Sequence, residues 1–343
     1  MKKIWNLIMV LTIATILAAC GGGENEESTT TSGEASGDSY EKATIRLAYN
    51  LPAEHHISKG IEEFAKQVTE RSGGQVEVVV YPSGQLLSDK DMNQSILTGG
   101  VEIGLNSATL WSSTVPELGA LDLPYIFTDY NQAGEALAGE FGDILRQAME
   151  AKGAKVLLFG DYGFSQFANS VRPLKTPDDF KGLKFRSFGD IPSVLIEAYG
   201  GAPTFMGSGE VYTALQRGTV DGATSGTTAM LQRNYNEVTK YLTINNYASL
   251  QFPLVMNKAY WDKLPEKTQT LIEEVASEQE QWIREQAKIE DERTAKELEE
   301  KGMEVYVVPE EELVEWKEKA QPVIDQFIEN NGEQGQKLLD LVQ

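Results

Sequence analysis

Nucleophiles, acid–base pairs and metal ligands are scarce in this chain. Its 343 residues hold two histidines, His55 and His56, and a single cysteine, Cys20. Adjacent residues on a regular element point in different directions. Even with Glu54 beside them, the histidines make a poor metal pair and read as a polar loop entering a helix. No Gly-x-Ser-x-Gly elbow, Walker loop or dinucleotide fingerprint occurs. Gly200-Gly201 precedes an extended stretch and reads as a turn. Asp178 and Asp179 sit at a helix start, where carboxylates cap the backbone and favour the positive end of the dipole. One cysteine allows no internal disulfide, no cysteine-based metal site and, so near the N-terminus, no nucleophile in the body of the protein. The residues imply neither a cofactor nor a metal, and the chain reads as a non-enzyme.

Cys20 has a different chemistry in prospect. Lys2 and Lys3 precede an apolar run from Ile4 to Leu17, broken only by Asn6, Thr12 and Thr15. Leu17-Ala18-Ala19-Cys20 ends it with small residues leading into the cysteine. Charge, short apolar core and small-residue cleavage site are the order of a signal peptide, and the run is short for a membrane span. The ending is similar to a bacterial lipobox. That resemblance implies diacylglycerol on the Cys20 thiol and cleavage after residue 19 that leaves Cys20 as the new N-terminus, with two acyl chains giving stable anchoring. An ordinary secretory signal with a chance cysteine is the alternative; the lack of any other cysteine favours attachment. Residues 21–39 are almost entirely Gly, Glu, Ser, Thr, Ala and Asp. Such a segment buries too little to offset its chain entropy, so residues 20–42 read as a lipidated cysteine and a flexible leash.

Composition narrows the partners. The chain carries 52 acidic and 30 basic residues, a formal charge of −22. Nucleic-acid binding needs a basic face, so no nucleic-acid partner is expected. No later apolar run is long enough to span a bilayer, and no 20- to 50-residue repeat marks a solenoid.

From Thr44 onward, strands and helices alternate. Thr44–Tyr49 and Val76–Tyr81 read as strands. Ile61, Phe64, Ala65 and Val68 give Ser58–Arg71 helical spacing, ended by Ser72-Gly73-Gly74. A helix over 88–97 and a strand over 101–105 complete β-α-β-α-β, the pattern of a mostly parallel sheet. Strands follow at 155–159, 165–170 and 183–187, helices at 191–199 and 209–216, and a strand at 252–256. After Leu264-Pro265 a helix without Gly or Pro runs to about Lys301, long enough to brace more than one lobe. A short strand at 305–308 and short acidic helices close the chain.

Four stretches carry a family resemblance. Lys175-Thr-Pro-Asp-Asp-Phe-Lys-Gly-Leu-Lys-Phe-Arg186 resembles the "tP-eDlkGlKiR" segment of the DctP-like solute receptors of TRAP transporters. Glu210-Val-Tyr-Thr-Ala-Leu-Gln-Arg-Gly-Thr-Val-Asp-Gly222 resembles that family's "EvY-ALq-GvvDG". Tyr81-Pro-Ser-Gly-Gln-Leu86 resembles its "yPsgqLG" turn and Leu121-Asp-Leu-Pro-Tyr125 its "ldlPf" turn. They occur in the family's order, and with Trp261–Pro265 they extend the likeness from about Thr44 to the C-terminus.

The resemblance implies an α/β, two-lobed, periplasmic-binding-protein-like clamshell with a long helix spanning both lobes. Lobe I is expected over 43–163 plus 251–290 and lobe II over 164–250 plus 291–343, with crossings near Gly163 and Gln251. It implies an extracytoplasmic receptor that captures a small organic acid and delivers it to the small and large TRAP membrane subunits; a monomer is the default expectation. Arg186 is the implied carboxylate partner, since a guanidinium fork matches a carboxylate in bidentate geometry. Asn50, Ser107, Trp111, Gln166, Phe188 and Ser225 are the further expected ligand contacts, with Tyr162 and Phe164 as additional aromatic wall. Gln166 stands where many relatives carry a second arginine, and Thr224-Ser225-Gly226 replaces a common Glu-Asn-Pro. One arginine with hydroxyls and an amide points to a ligand with fewer charges than a dicarboxylate. A receptor for another importer or a sensor kinase would share this architecture. An exported hydrolase or lyase would need a nucleophile–base set beyond the paired histidines.

Overall fold

The computed structural model describes residues 39–127 and 129–342. The signal segment, Cys20 and most of the leash lie outside the described residues.

The first part runs β1 (Ala43–Tyr49), α1 (His56–Arg71), β2 (Val76–Tyr81), α2 (Asp89–Leu97), β3 (Ile103–Leu105) and α3 (Ala108–Trp111). After a 3-10 segment at Pro116–Asp122 come α4 (Tyr130–Ala138), α5 (Glu140–Ala151) and the 16-residue β4 (Ala154–Asn169). Then follow β5 (Lys184–Ser187), α6 (Asp190–Ala198), β6 (Ala202–Phe205), α7 (Val211–Gln216), β7 (Gly222–Gly226) and α8 (Thr227–Gln232). The chain ends with β8 (Tyr241–Ile244), β9 (Ser249–Asn257), α9 (Lys258–Trp261), α10 (Glu266–Glu300), β10 (Glu304–Val307) and α11 (Leu313–Asp340).

The fold is a mixed α/β, two-lobed one. β2, β1 and β3 pair in parallel, as the β-α-β-α-β pattern predicts. The sheet does not stay mostly parallel: β9 runs antiparallel to both β3 and β4. The reason lies in β4. Where the sequence reads two strands, at 155–159 and 165–170, the chain makes one. Residues Ala154 to Phe164 pair with β9, while Ser165–Asn169 pair with β7 and Phe167–Asn169 also with β8. The ladder slips between Asp161 and Gly163, and Gly163 takes φ 100°, a conformation open chiefly to glycine. A strand bent by that bulge can serve two sheets without ending. β5 lies between β6 and β7, and β10 adds to β8.

The helices follow their apolar spacing. Ile57, Ile61, Phe64, Ala65 and Val68 form the buried stripe of α1, which packs on α10. The approach is close: a Cβ on Gly60 would lie 2.5 Å from Ile283 Cγ1. α10 has 35 residues, about 52 Å at 1.5 Å per residue. Its Leu271, Ile272, Val275, Ala276 and Ile283 enter the core beneath β1 and β9. Its Leu298 enters another core, with Val211, Val220, Leu242 and Met303. The C-terminus, expected as short helices, is one long element broken at Gly332. Trp316, Ala320 and Val323 pack with Phe180 and Tyr199, whereas Phe327, Leu338 and Leu339 pack with Leu118, Phe141 and Leu145.

Candidate functional site

A cavity opens where the ends of β1, β3, β5 and β7 meet α2 and α8. Asn50, Asp89, Ser107, Arg186, Ser225 and Arg233 supply polar groups, while Leu105, Tyr162, Phe188, Met206, Leu250 and Phe252 are among its apolar lining. β5 explains the placement of Arg186. Side chains alternate across a strand, so Phe185 enters the core with Phe167 and Phe180 while Arg186 points to the cavity. Arg186 is 5% exposed. Its Nε donates to Met206 O at 3.2 Å and its Nη1 to Thr224 O at 2.9 Å. Its guanidinium carbon lies 5.1 Å from the Phe188 ring centroid. Among the described residues no carboxylate pairs with it, and Nη2 has no hydrogen-bond partner. Burial holds this guanidinium below its ordinary value, against the pull of Tyr235, Tyr162 and Asp89. A buried cation without a counter-ion is costly unless something else supplies the charge.

Five of the seven residues predicted from sequence to contact ligand therefore share one cavity: Asn50, Ser107, Arg186, Phe188 and Ser225. The other two lie elsewhere. Gln166 uses its amide on the turn between β8 and β9: Oε1 accepts from Asn245 N at 2.9 Å and Asn246 N at 3.0 Å. Asn246 has φ 48°, so the Gln166 amide bonds a left-handed residue of that turn. Trp111 is fully buried in the core with Ala108, Val115 and Leu118, and its neighbour Leu110 faces the cavity instead. One step along a helix turns a side chain by about 100°, which is enough to exchange cavity for core. Of the remaining aromatic candidates, Tyr162 lines the cavity and shares a 3.1 Å hydrogen bond with Ser225 Oγ. Phe164 packs edge-on against Tyr130 instead.

The second arginine of the cavity is Arg233, just after α8. Its Nη2 donates to Asn50 O at 2.9 Å. Asp89, at the start of α2, accepts from Ser208 N at 2.9 Å and Ser208 Oγ at 2.8 Å. Lys90 Nζ meets Glu210 Oε2 at 2.9 Å at the exposed rim. These three contacts join α2 and the end of β1 to the segment around Ser208 and α8 across the cavity. No periodicity or motif marks Arg233, Asp89 or Ser208; only the tertiary structure brings them together.

Behind the cavity lies a buried polar cluster. His55 Nδ1 caps α1 by accepting from Ile57 N, and His56 Nε2 lies 2.8 Å from Asp161 O. Burial lowers both imidazoles, His56 to about 4. His55 stacks on Tyr162 with centroids 4.8 Å apart. Asp291 of α10 accepts from Tyr130 OH, from Phe164 N at 2.9 Å and from Thr227 Oγ1 at 3.0 Å. Burial pushes Asp291 up to about 6 and Asp161 up to about 7. Among the described residues, no group of three or more His, Cys, Asp or Glu is placed to hold a metal ion.

A bent strand serving two sheets, a long helix feeding two cores and a cavity with a buried arginine that meets no carboxylate at ion-pair distance among the described residues define a solute-binding clamshell. Residues 47–331 match the model of the DctP family, "Bacterial extracellular solute-binding protein, family 7", and the chain belongs to that family. It is 32% identical over 295 residues to the C4-dicarboxylate-binding periplasmic protein DctP of Rhodobacter capsulatus, covering 85% of this chain and 88% of that one. A TRAP periplasmic solute-binding protein from Sulfurospirillum deleyianum, with bound succinate, superposes with a TM-score of 0.83 at 29% identity, covering 88% of this chain and 100% of that one. The sugar acid binding protein of Advenella mimigardefordensis, in complex with galactonate, gives 0.85 at 27% identity, covering 88% and 98%. The chain is thus a TRAP-type solute receptor that works outside the cytoplasm, with a membrane permease as its partner. These relatives are solute-binding proteins, not enzymes. No described helix is long and apolar enough to cross a membrane.

Proposed function

We propose that this protein captures a small organic acid through Arg186, without turning it over, and delivers it to the small and large TRAP membrane subunits. The observation that carries the reading is the Arg186 guanidinium, buried with an unused Nη2 and no carboxylate partner among the described residues. A ligand carboxylate would supply the missing charge and accept in bidentate geometry. Succinate and galactonate, bound by the two structural neighbours, share a carboxylate and little else. Asn50, Ser107, Ser225 and Phe188 complete the contacts. The lobes, near residues 43–163 with 251–290 and 164–250 with 291–343, close about Gly163 and Gln251. Closure brings Asp89, Lys90 and Asn50 against Ser208, Glu210 and Arg233. A ligand that touches both sides favours the closed state by its extra affinity for it.

The receptor acts as a monomer tethered through diacylglycerol on Cys20, and residues 21–42 give the lobes reach. The tether holds them at high effective concentration near the permease. Isothermal titration of the detergent-solubilised chain with an organic-acid panel tests the capture role. Stoichiometric binding without turnover supports it, and absence of binding by any acid refutes it. Metabolic labelling with palmitate tests the anchor: label retained by Cys20→Ser would refute attachment at that residue.

A further inference from the structure

The cavity has a charge count that the carboxylate reading does not use. Four ionisable side chains other than tyrosine line it: Arg186, Arg233, Lys90 and Asp89. Lys90 is neutralised at the rim by Glu210 at 2.9 Å. The two arginines have no carboxylate partner among the described residues; both donate to backbone carbonyls. Among the described residues Asp89 likewise meets no cation at ion-pair distance. Its carboxylate is held by Ser208 N, Ser208 Oγ and its neighbour Lys90 N, at 2.9, 2.8 and 3.0 Å. Two positive charges and one negative charge leave one net positive charge facing the ligand.

A single carboxylate brings that total to zero. A second carboxylate overshoots it and places an anion in the same enclosure as Asp89, where repulsion is screened less than in water. The neutral lining asks for something else. Ser107 Oγ accepts from Leu110 N and keeps its hydroxyl hydrogen to donate. Among the described residues the Tyr235 hydroxyl has no hydrogen-bond partner, although the residue is 1% exposed. Asp89 itself can accept from a ligand hydroxyl.

Resting on the carboxylate reading above, we propose that the cavity selects an acid with one carboxylate and additional hydroxyl or oxo groups, and that Asp89 is the residue that rejects a second carboxylate. Selection then comes from an unfavourable contact with the wrong ligand as well as a favourable one with the right ligand. It reaches the charge preference expected from a lone arginine by a different route, because two arginines are present and one aspartate offsets them.

Isothermal titration of the detergent-solubilised full chain at pH 8 tests this with matched pairs: butyrate and succinate, 2-hydroxybutyrate and malate, gluconate and glucarate. Within each pair the acids differ chiefly in a second carboxylate. The expected result is that the monocarboxylate binds at least tenfold more tightly in every pair that binds, and that a hydroxylated pair outranks butyrate. In Asp89→Asn the preference should shrink at least fivefold; asparagine keeps an oxygen for Ser208, and a melting curve checks the fold. The wild-type comparison needs no variant. Equal or tighter binding of the dicarboxylate overturns the proposal while leaving the carboxylate reading intact, as does an unchanged preference in folded Asp89→Asn. If none of the six acids binds, this proposal falls, and the wider organic-acid panel decides the carboxylate reading.

Discussion

Replacing Arg186 with alanine should separate binding from stability. In the native cavity the guanidinium donates to Met206 O and Thr224 O and lies beside Phe188. A ligand carboxylate would complete a buried, hydrogen-bonded charge pair. Removing one partner of such a pair costs roughly 2–5 kcal/mol. The cavity is partly open, so about 3 kcal/mol is expected, on the order of a hundredfold in Kd. Stability should move otherwise. The variant loses two hydrogen bonds, each worth about 1 kcal/mol. It also removes a buried cation that has no carboxylate partner among the described residues and whose desolvation costs several kcal/mol. The ligand-free melting temperature should therefore hold or rise. Arg186→Lys keeps the charge but loses the planar fork, and an intermediate loss of about tenfold is expected. Isothermal titration gives Kd and differential scanning fluorimetry gives the melting temperature. Alanine-variant binding within threefold of wild type would refute the reasoning, and so would a collapse in melting temperature.

Three further outcomes are expected. Burial raises Asp161 from 3.8 to about 7, so between those values the folded state binds more protons than the unfolded chain and stability falls as pH rises. Asp161→Asn removes this penalty: urea unfolding should show a gain of about 2 kcal/mol at pH 8 that falls by more than half at pH 4, and a gain that grows towards acid would be the wrong sign. Gly163→Ala places a side chain at φ 100° and against the Asp291 carboxylate, so a loss of about 2–4 kcal/mol is expected in the same assay. Ser208→Ala removes the 2.8 Å hydroxyl bond to Asp89 but keeps the backbone one; stopped-flow dissociation should quicken about two- to fivefold, as expected when a closed state is weakened by up to about 1 kcal/mol.

Some of this molecule was legible in the sequence for clear reasons. β2 matches its reading because five of its six residues are β-branched or aromatic and Pro82 follows. α10 was visible because nothing in Glu266–Glu300 can break a helix. β7 was not visible: Gly-Ala-Thr-Ser-Gly is wholly buried yet has no apolar alternation to betray it. Gly160 and Gly163 hid the continuity of β4, since glycine within a strand reads as its end. In the site, Arg186 could be read because it ends a motif that is contiguous in sequence. Arg233 and Asp89 belong to separate elements that meet only across the cavity. Gln166 and Trp111 failed as cavity residues for another reason: a residue's position along the chain does not fix which way its side chain turns.

The two long C-terminal helices carry a consequence for how the molecule comes apart. α10 contributes to cores on both sides of the bend in β4, and α11 does the same with Trp316 at one end and Leu338 at the other. Neither lobe owns a complete set of walls. A fragment cut at the bend would expose apolar faces that the missing helices cover, so neither half is an autonomous folding unit. Calorimetry should then record a single cooperative transition, although the architecture looks like two bodies on a hinge. If the lobes open as proposed, the rigidity of each would in this sense be borrowed from the other.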